Sequence, residues 1–150
     1  MNLGIYVDST KENEEMEQVV SSLNEGVTKG HLVDASIFYD TVGHNSLSMK
    51  CGCFNSTDLW AFTGNLITTS INNTRTAMNI VNKFKIYFYY RPEPAKDLFG
   101  LINVINNPSI KTLCRNEDEA KELYRLTGTA PVGLVDKFNL SEILTHMRTP

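Results

Sequence analysis

Lys85-Ile86-Tyr87-Phe88-Tyr89-Tyr90 is the stretch that decides the fold of this chain. It consists almost entirely of aromatic and β-branched residues, which are typical of β-strands. Both alternating faces are apolar, and this pattern predicts a central strand of a parallel sheet that is covered on each side. The following Arg91-Pro92-Glu93-Pro94 ends the strand, because proline lacks the N–H group that a sheet ladder needs.

Strand-like and helix-like segments alternate on both sides of this stretch. Further strands are predicted at residues 3–8, 33–40, 50–54, 66–70, 110–114 and 132–136. Apolar residues at helical spacing predict a helix that carries Met16, Val19 and Leu23 on one face. Further helical segments are predicted at residues 57–62, 72–83, 117–127 and 140–147, and Pro94 is expected to open another that runs through Ile105.

This alternation implies right-handed crossovers and a mainly parallel sheet. We therefore expect a single α/β domain over residues 1–150. It is expected to be a three-layer Rossmann-like domain, with a mainly parallel sheet of about six or seven strands and helices on both faces. The strand order is not readable from the sequence, so Rossmann-like and flavodoxin-like windings both stay open.

Charge and composition argue against several classes of partner. The formal net charge is −3, hydrophobic residues make up 41% of the chain, and no long run of either charge occurs. Nucleic acid is therefore not an expected partner, since its binding needs a basic patch. The segment after Met1 lacks the basic start and long apolar stretch of a signal peptide, and no apolar run approaches the roughly 20 residues that span a bilayer. We expect a cytoplasmic protein that does not enter a membrane.

The three cysteines predict buried reduced thiols rather than a metal site. Cys51 and Cys53 stand two residues apart, and Cys114 ends another apolar run. A pair of cysteines without a second pair or nearby histidines is a weak signal for zinc. No metal ligand is therefore assigned.

Sequence motifs that hold common cofactors are missing. The chain contains no Gly-x-Gly-x-x-Gly after a strand, no Gly-x-x-x-x-Gly-Lys-Ser/Thr and no Gly-x-Ser-x-Gly. These motifs mark dinucleotide-binding folds, P-loop enzymes and α/β-hydrolases respectively. We expect no cofactor.

The candidate site lies at the carboxyl ends of the predicted strands. Open parallel sheets bind ligands at this edge, near the point where the winding reverses, because helix N-termini there present free N–H groups. Arg91 and Arg115 each follow a buried strand and could hold a phosphate or carboxylate. The candidate ligand-binding residues are Asp8, Ser9, Asp40, His44, Thr69, Ser70, Arg91, Arg115 and Asn116.

Simpler roles compete at several of these positions. Ser9 and Asn116 each stand three residues before a glutamate, which is the spacing of a helix cap. Arg91 could pair with Glu93, and Arg115 could pair with Asp118 or Glu119. His44 lies in a polar loop, where a single histidine is usually solvated.

Two parts of the chain resemble the N-terminal Rossmann-like domain of GT-B type glycosyltransferases. Leu66-Ile67-Thr68-Thr69-Ser70 and Lys85-Ile86-Tyr87-Phe88-Tyr89-Tyr90 are similar to its middle strands. Ile110-Lys111-Thr112-Leu113-Cys114-Arg115-Asn116-Glu117-Asp118 and Pro131-Val132-Gly133-Leu134-Val135-Asp136-Lys137-Phe138-Asn139 resemble the region before the interdomain crossover. The resemblance covers about residues 60–140 and implies an acceptor-side domain. Such enzymes hold the sugar nucleotide mainly with a C-terminal domain, for which we expect no counterpart in residues 1–150, so the resemblance implies that this chain alone is not catalytic.

Three functional hypotheses follow. The first is a module that binds a small phosphorylated ligand or a nucleotide sugar at Arg91 and Arg115, with a homodimer or a partner protein as a second wall of the cleft. The second is a small enzyme that acts on such a substrate and uses Asp8, Asp40 or His44 as acid or base. The third is an interaction scaffold, which a large exposed apolar patch in place of a concave pocket would favour.

Overall fold

Parallel strands and the helices that connect them make up the computed structural model, which describes residues 1–81, 84–92 and 97–148. The strands are β1 (Asn2–Ser9), β2 (Asp34–Thr41), β3 (Gly52–Asn55), β4 (Gly64–Thr68), β5 (Phe84–Tyr90), β6 (Ile110–Cys114) and β7 (Gly133–Leu134). The helices are α1 (Glu14–Thr28), α2 (Ile71–Met78), α3 (Leu98–Ile105), α4 (Glu117–Thr127) and α5 (Leu140–Arg148), with a 3₁₀ helix at Ser56–Ala61.

The described residues form one seven-stranded sheet in the order β3-β2-β1-β4-β5-β6-β7, and every pair of neighbouring strands is parallel. The predicted α/β class is thereby confirmed, and the apolar layers on the two faces of the sheet confirm the three-layer architecture. Of the two windings that the sequence left open, the order is that of a Rossmann-like sheet. The chain reverses its winding between β1 and β4, which places the expected ligand crevice at the carboxyl ends of these two strands.

The central position of β5 explains its composition. It pairs with β4 on one side and β6 on the other, and its residues from Ile86 onward are buried. Tyr87 and Tyr89 belong to the apolar layer that contains residues of α1 and α5, whereas Phe88 and Tyr90 belong to the layer that contains residues of α2, α3 and α4. Both faces of the strand are therefore covered, as its sequence predicts.

Some predicted boundaries differ from the structure. Helix α2 ends at Met78 rather than at residue 83, and residues 82 and 83 lie outside the described residues, as does Pro94. Strand β7 is limited to Gly133–Leu134, and the chain turns farther on, at Lys137 and Phe138, where φ is positive. These differences leave the strand order and the layers unchanged.

The cysteines are free thiols, but one of them is not buried. Cys114 is buried, Cys51 is half-buried, and Cys53 is exposed. Cys53 lies on β3, which pairs only with β2 within the described sheet and so borders solvent. The prediction of buried thiols is therefore wrong for Cys53.

Candidate functional site

A cleft of about 330 Å³ lies at the carboxyl ends of β4, β5 and β6, beside the first turn of α1. We call it the edge cleft. Its volume is at the lower end of the roughly 300–1,000 Å³ that ligand pockets occupy. Its lining residues are Asn13, Glu14, Glu15, Gln18, Thr69, Tyr89, Arg91, Arg115 and Phe138.

Two arginines follow the central strands and line this cleft. Arg91, directly after β5, forms an ion pair with Glu15 of α1. Arg115, directly after β6, forms an ion pair with Glu119 of α4, and its Nε lies 3.0 Å from each carboxylate oxygen. The expected pairing of Arg115 with Glu119 is thereby confirmed, whereas Arg91 pairs with Glu15, and Glu93 lies outside the described residues. An anionic ligand in the cleft would compete with glutamates for both guanidinium groups.

An aromatic pair stands beside the arginines. The rings of Tyr89 and Phe138 stack with centroids 4.4 Å apart and an interplanar angle of 16°. The Tyr89 hydroxyl donates a hydrogen bond to the Val135 carbonyl, and burial raises the pKa of Tyr89 to about 12. These contacts hold the loop before α5 against the sheet and bring Phe138 to the cleft.

The same loop contains two consecutive residues in the left-handed region, Lys137 with φ of 50° and Phe138 with φ of 55°. Lys137 is exposed, so its backbone conformation can be tested without removing a packed side chain. We expect Lys137→Gly to raise the free energy of unfolding by about 0.5–1 kcal/mol, because glycine adopts positive φ without the clash of a Cβ atom. Urea denaturation would measure this, with Lys121→Gly inside α4 as a control that is expected to destabilise. A loss of stability in Lys137→Gly would contradict the prediction.

Thr69 and Ser70 begin the turn from β4 into α2 and join it to β1. Thr69 Oγ1 donates to the Tyr6 carbonyl oxygen at 2.8 Å, and Ser70 Oγ donates to Asp8 Oδ1 at 2.9 Å. The Asn73 side chain donates to the Tyr6 carbonyl oxygen and to Asp8 Oδ1, at 3.1 and 3.2 Å. Ser70 and Asn73 also form the capping box of α2. This network connects β1 and β4 at the point where the strand order reverses.

Asp8 and Asp40 lie on neighbouring strands, since Val7 pairs with Tyr39 and Ser9 pairs with Thr41. Asp40 Oδ1 accepts a hydrogen bond of 2.6 Å from the Tyr6 hydroxyl. Burial, together with this bond to Asp40, raises the pKa of Tyr6 to about 12. Both carboxylates therefore hold β1 to its neighbours, and neither lines the edge cleft.

The loop between β1 and α1 is covered by the polar segment that follows β2. Thr10 and Gly43 exchange hydrogen bonds, and the Glu12 carboxylate accepts from the backbone and hydroxyl of Ser46. The Glu12 N–H donates to the His44 carbonyl oxygen at 2.9 Å. In dinucleotide-binding folds the loop between the first strand and the first helix holds the pyrophosphate and carries the Gly-x-Gly-x-x-Gly motif. In this chain the corresponding loop lacks that motif and is hydrogen-bonded to the segment after β2.

The remaining candidates have local roles. The Ser9 hydroxyl accepts from the Lys11 N–H, and α1 is capped by Asn13, so the prediction of a Ser9 cap is wrong. Asn116 caps α4 by accepting from the Glu119 N–H at 2.9 Å, as predicted. The side chain of His44 is exposed and does not line the edge cleft.

Three of the nine candidate residues, Thr69, Arg91 and Arg115, thus meet in one cleft. Asp8 and Ser70 lie in the network next to it, whereas Ser9, Asp40, His44 and Asn116 are outside its lining. Sequence reasoning missed Glu14, Glu15 and Phe138, which also line the cleft. The acidic residues directly after the α1 cap were a readable signal, but nothing in the sequence indicated that Phe138 would stack on Tyr89.

Among residues 1–81, 84–92 and 97–148, His, Cys, Asp and Glu form no cluster of three or more suited to a metal ion. No helix in the same ranges combines the length and apolar character needed to cross a membrane. The resemblance to glycosyltransferases stays a prediction, because comparison with protein-family models, curated proteins and solved structures gives no match to this chain.

Proposed function

We propose that this protein is a binding module that holds a small phosphorylated metabolite or the phosphate part of a nucleotide sugar in the edge cleft. The observation that carries the proposal is the placement of Arg91 and Arg115 in one concave site at the carboxyl edge of the sheet. Guanidinium groups bind phosphate through two parallel hydrogen bonds, which gives both strength and orientation. The site borders β4, next to the reversal of strand order, where Rossmann-like sheets bind their ligands.

Binding is favoured over acid–base catalysis by the position of the other candidates. Asp8, Asp40 and His44 were the predicted acids or bases, and none of them lines the edge cleft. A general acid or base must come within hydrogen-bonding reach of the group it serves. A homodimer or partner protein that adds a wall to the cleft, and a cytoplasmic location, stay predictions.

Calorimetric titration with glucose 1-phosphate and UDP-glucose tests the proposal, with glucose as the uncharged control. We expect binding of the phosphorylated compounds, and we expect Arg91→Ala and Arg115→Ala each to weaken it about tenfold. Arg125→Ala is the matched control, because Arg125 is exposed in the last turn of α4 and does not line the cleft. The proposal fails if no phosphorylated compound binds, or if both cleft variants bind as tightly as the unmodified protein.

A further inference from the structure

The edge cleft is lined by two glutamates as well as by its two arginines. Glu14 and Glu15 belong to the first turn of α1, and both line the cleft with Arg91 and Arg115. Glu15 is paired with Arg91. Across the described part of the chain, no ion pair or hydrogen bond engages the Glu14 carboxylate. Glu14 is therefore a charged lining residue that a ligand can reach without first breaking an ion pair.

This arrangement favours a phosphorylated ligand that also carries a positive group over one that does not. The two arginines are balanced by the two glutamates of the cleft, and Arg115 is also held by Glu119. A phosphate dianion bound between the arginines would displace Glu15 from Arg91 and would lie near two carboxylates. Like charges at short range repel, and the repulsion is stronger in a partly desolvated cleft than in water. A positive group on the ligand, placed next to Glu14, would remove this penalty.

We infer that the ligand of the edge cleft is a small zwitterion, in which a phosphate faces Arg91 and Arg115 and an ammonium group faces Glu14. The inference rests on the proposed function and narrows its ligand class to amine-bearing phosphates. The volume of about 330 Å³ suits a monosaccharide phosphate better than a dinucleotide. Gln18, one turn along α1 from Glu14, also lines the cleft and offers an amide to sugar hydroxyls.

Three ligands that differ at one position test the inference by calorimetry at pH 7. They are glucosamine 6-phosphate, glucose 6-phosphate and N-acetylglucosamine 6-phosphate, which carry an ammonium, a hydroxyl and a neutral amide at carbon 2. We expect glucosamine 6-phosphate to bind about fivefold more tightly than the other two, as for a partly exposed ion pair.

Single substitutions test whether the preference for glucosamine 6-phosphate depends on Glu14. Glu14→Gln is expected to abolish the preference for the amine, because glucosamine 6-phosphate loses its ionic partner and glucose 6-phosphate is no longer repelled by the Glu14 carboxylate. Glu117→Gln is the matched control, since Glu117 is exposed in the first turn of α4 and does not line the cleft, and this variant is expected to keep the preference. Glu15→Gln releases Arg91, so it is expected to tighten the binding of glucose 6-phosphate.

The outcomes separate the inference from the proposed function. Equal binding of the three sugar phosphates, or a preference for the amine that survives in Glu14→Gln, overturns the inference of a zwitterionic ligand. If binding still depends on Arg91 and Arg115 in that case, the proposed function stands. Failure of all three sugar 6-phosphates, of glucose 1-phosphate and of UDP-glucose to bind overturns both.

Discussion

Replacing Asn73 with alanine is expected to lower the free energy of unfolding by about 3–5 kcal/mol, because it leaves several buried polar groups without a partner. The Asn73 side chain is fully buried. Its Oδ1 accepts from the N–H groups of Thr69 and Ser70, both at 3.1 Å, and its Nδ2 donates to the Tyr6 carbonyl oxygen. In the alanine variant the two N–H groups stay buried and lose their acceptor.

Urea denaturation at pH 7 measures this loss, and Asn72 supplies the control. Asn72 is the preceding residue of α2 and is exposed, so Asn72→Ala is expected to change the free energy of unfolding by less than about 0.5 kcal/mol. Similar small losses in both variants would show that the network at the reversal of strand order does not stabilise the fold.

A second variant separates hydrogen bonding from packing. Asn73→Asp keeps the shape of the side chain but removes the two donor hydrogens and brings a carboxylate close to Asp8, whose Oδ1 lies 3.2 Å from Asn73 Nδ2. We expect this variant to be destabilised at pH 7 and to regain part of its stability near pH 4, where protonation removes the repulsion between the carboxylates. A loss of stability that is independent of pH would instead point to the lost donor hydrogen bonds of the Asn73 side chain.

The fold was predictable because its signals are local. An uninterrupted run of aromatic and β-branched residues buries all of its side chains in a parallel sheet only when both faces of the sheet are covered. Tyr87 and Phe88 indeed belong to opposite apolar layers. Strand order was not predictable, since it depends on which strands pair over long sequence separations. β1, for example, pairs with β4 across more than fifty intervening residues.

The site was predictable only where its residues follow strands. Arg91 and Arg115 were found because the residues after parallel strands meet at one edge. The partners of these arginines come from α1 and α4, and the approach of α1 to the end of β5 is a tertiary contact that no local pattern reports. Ser9 was the expected cap of α1, but the hydrogen bond from the Met16 N–H to Asn13 Oδ1 shows that Asn13 caps this helix.

Raising the pH from 8 to 11 is expected to lower the free energy of unfolding by about 5 kcal/mol through three buried groups. Burial raises the pKa of Cys114 from 9.0 to about 12, and the pKa values of Tyr6 and Tyr89 rise from 10.0 to about 12. All three side chains are almost completely inaccessible, with exposed fractions of 0, 0 and 3%.

Stability is expected to fall with rising pH because of the charge that each group carries in its two protonation states. A thiol and a phenol are neutral when protonated, and burial favours the neutral form, so the folded protein keeps these protons at pH values where the unfolded chain has lost them. The stabilisation is complete below the unfolded pKa values of 9.0 and 10.0 and is lost as the pH rises toward about 12. Since domains of this kind are stable by about 5–15 kcal/mol, this loss is a large share of the total stability.

Urea denaturation at intervals from pH 8 to 11 measures the loss of stability. One variant shows how much of this loss comes from Cys114, the group with the largest expected share. Cys114→Ala removes the thiol. Between pH 8 and 11 the free energy of unfolding of this variant is therefore expected to decrease by about 2–3 kcal/mol less than that of the unmodified protein. Tyr124→Phe is the control, since the Tyr124 side chain is exposed and its removal is expected to leave the slope unchanged. If the slope of Cys114→Ala equals that of the unmodified protein, Cys114 does not hold its proton in the folded state. The layer formed with α2, α3 and α4 would then admit water at the end of β6, where Cys114 precedes Arg115 and the edge cleft.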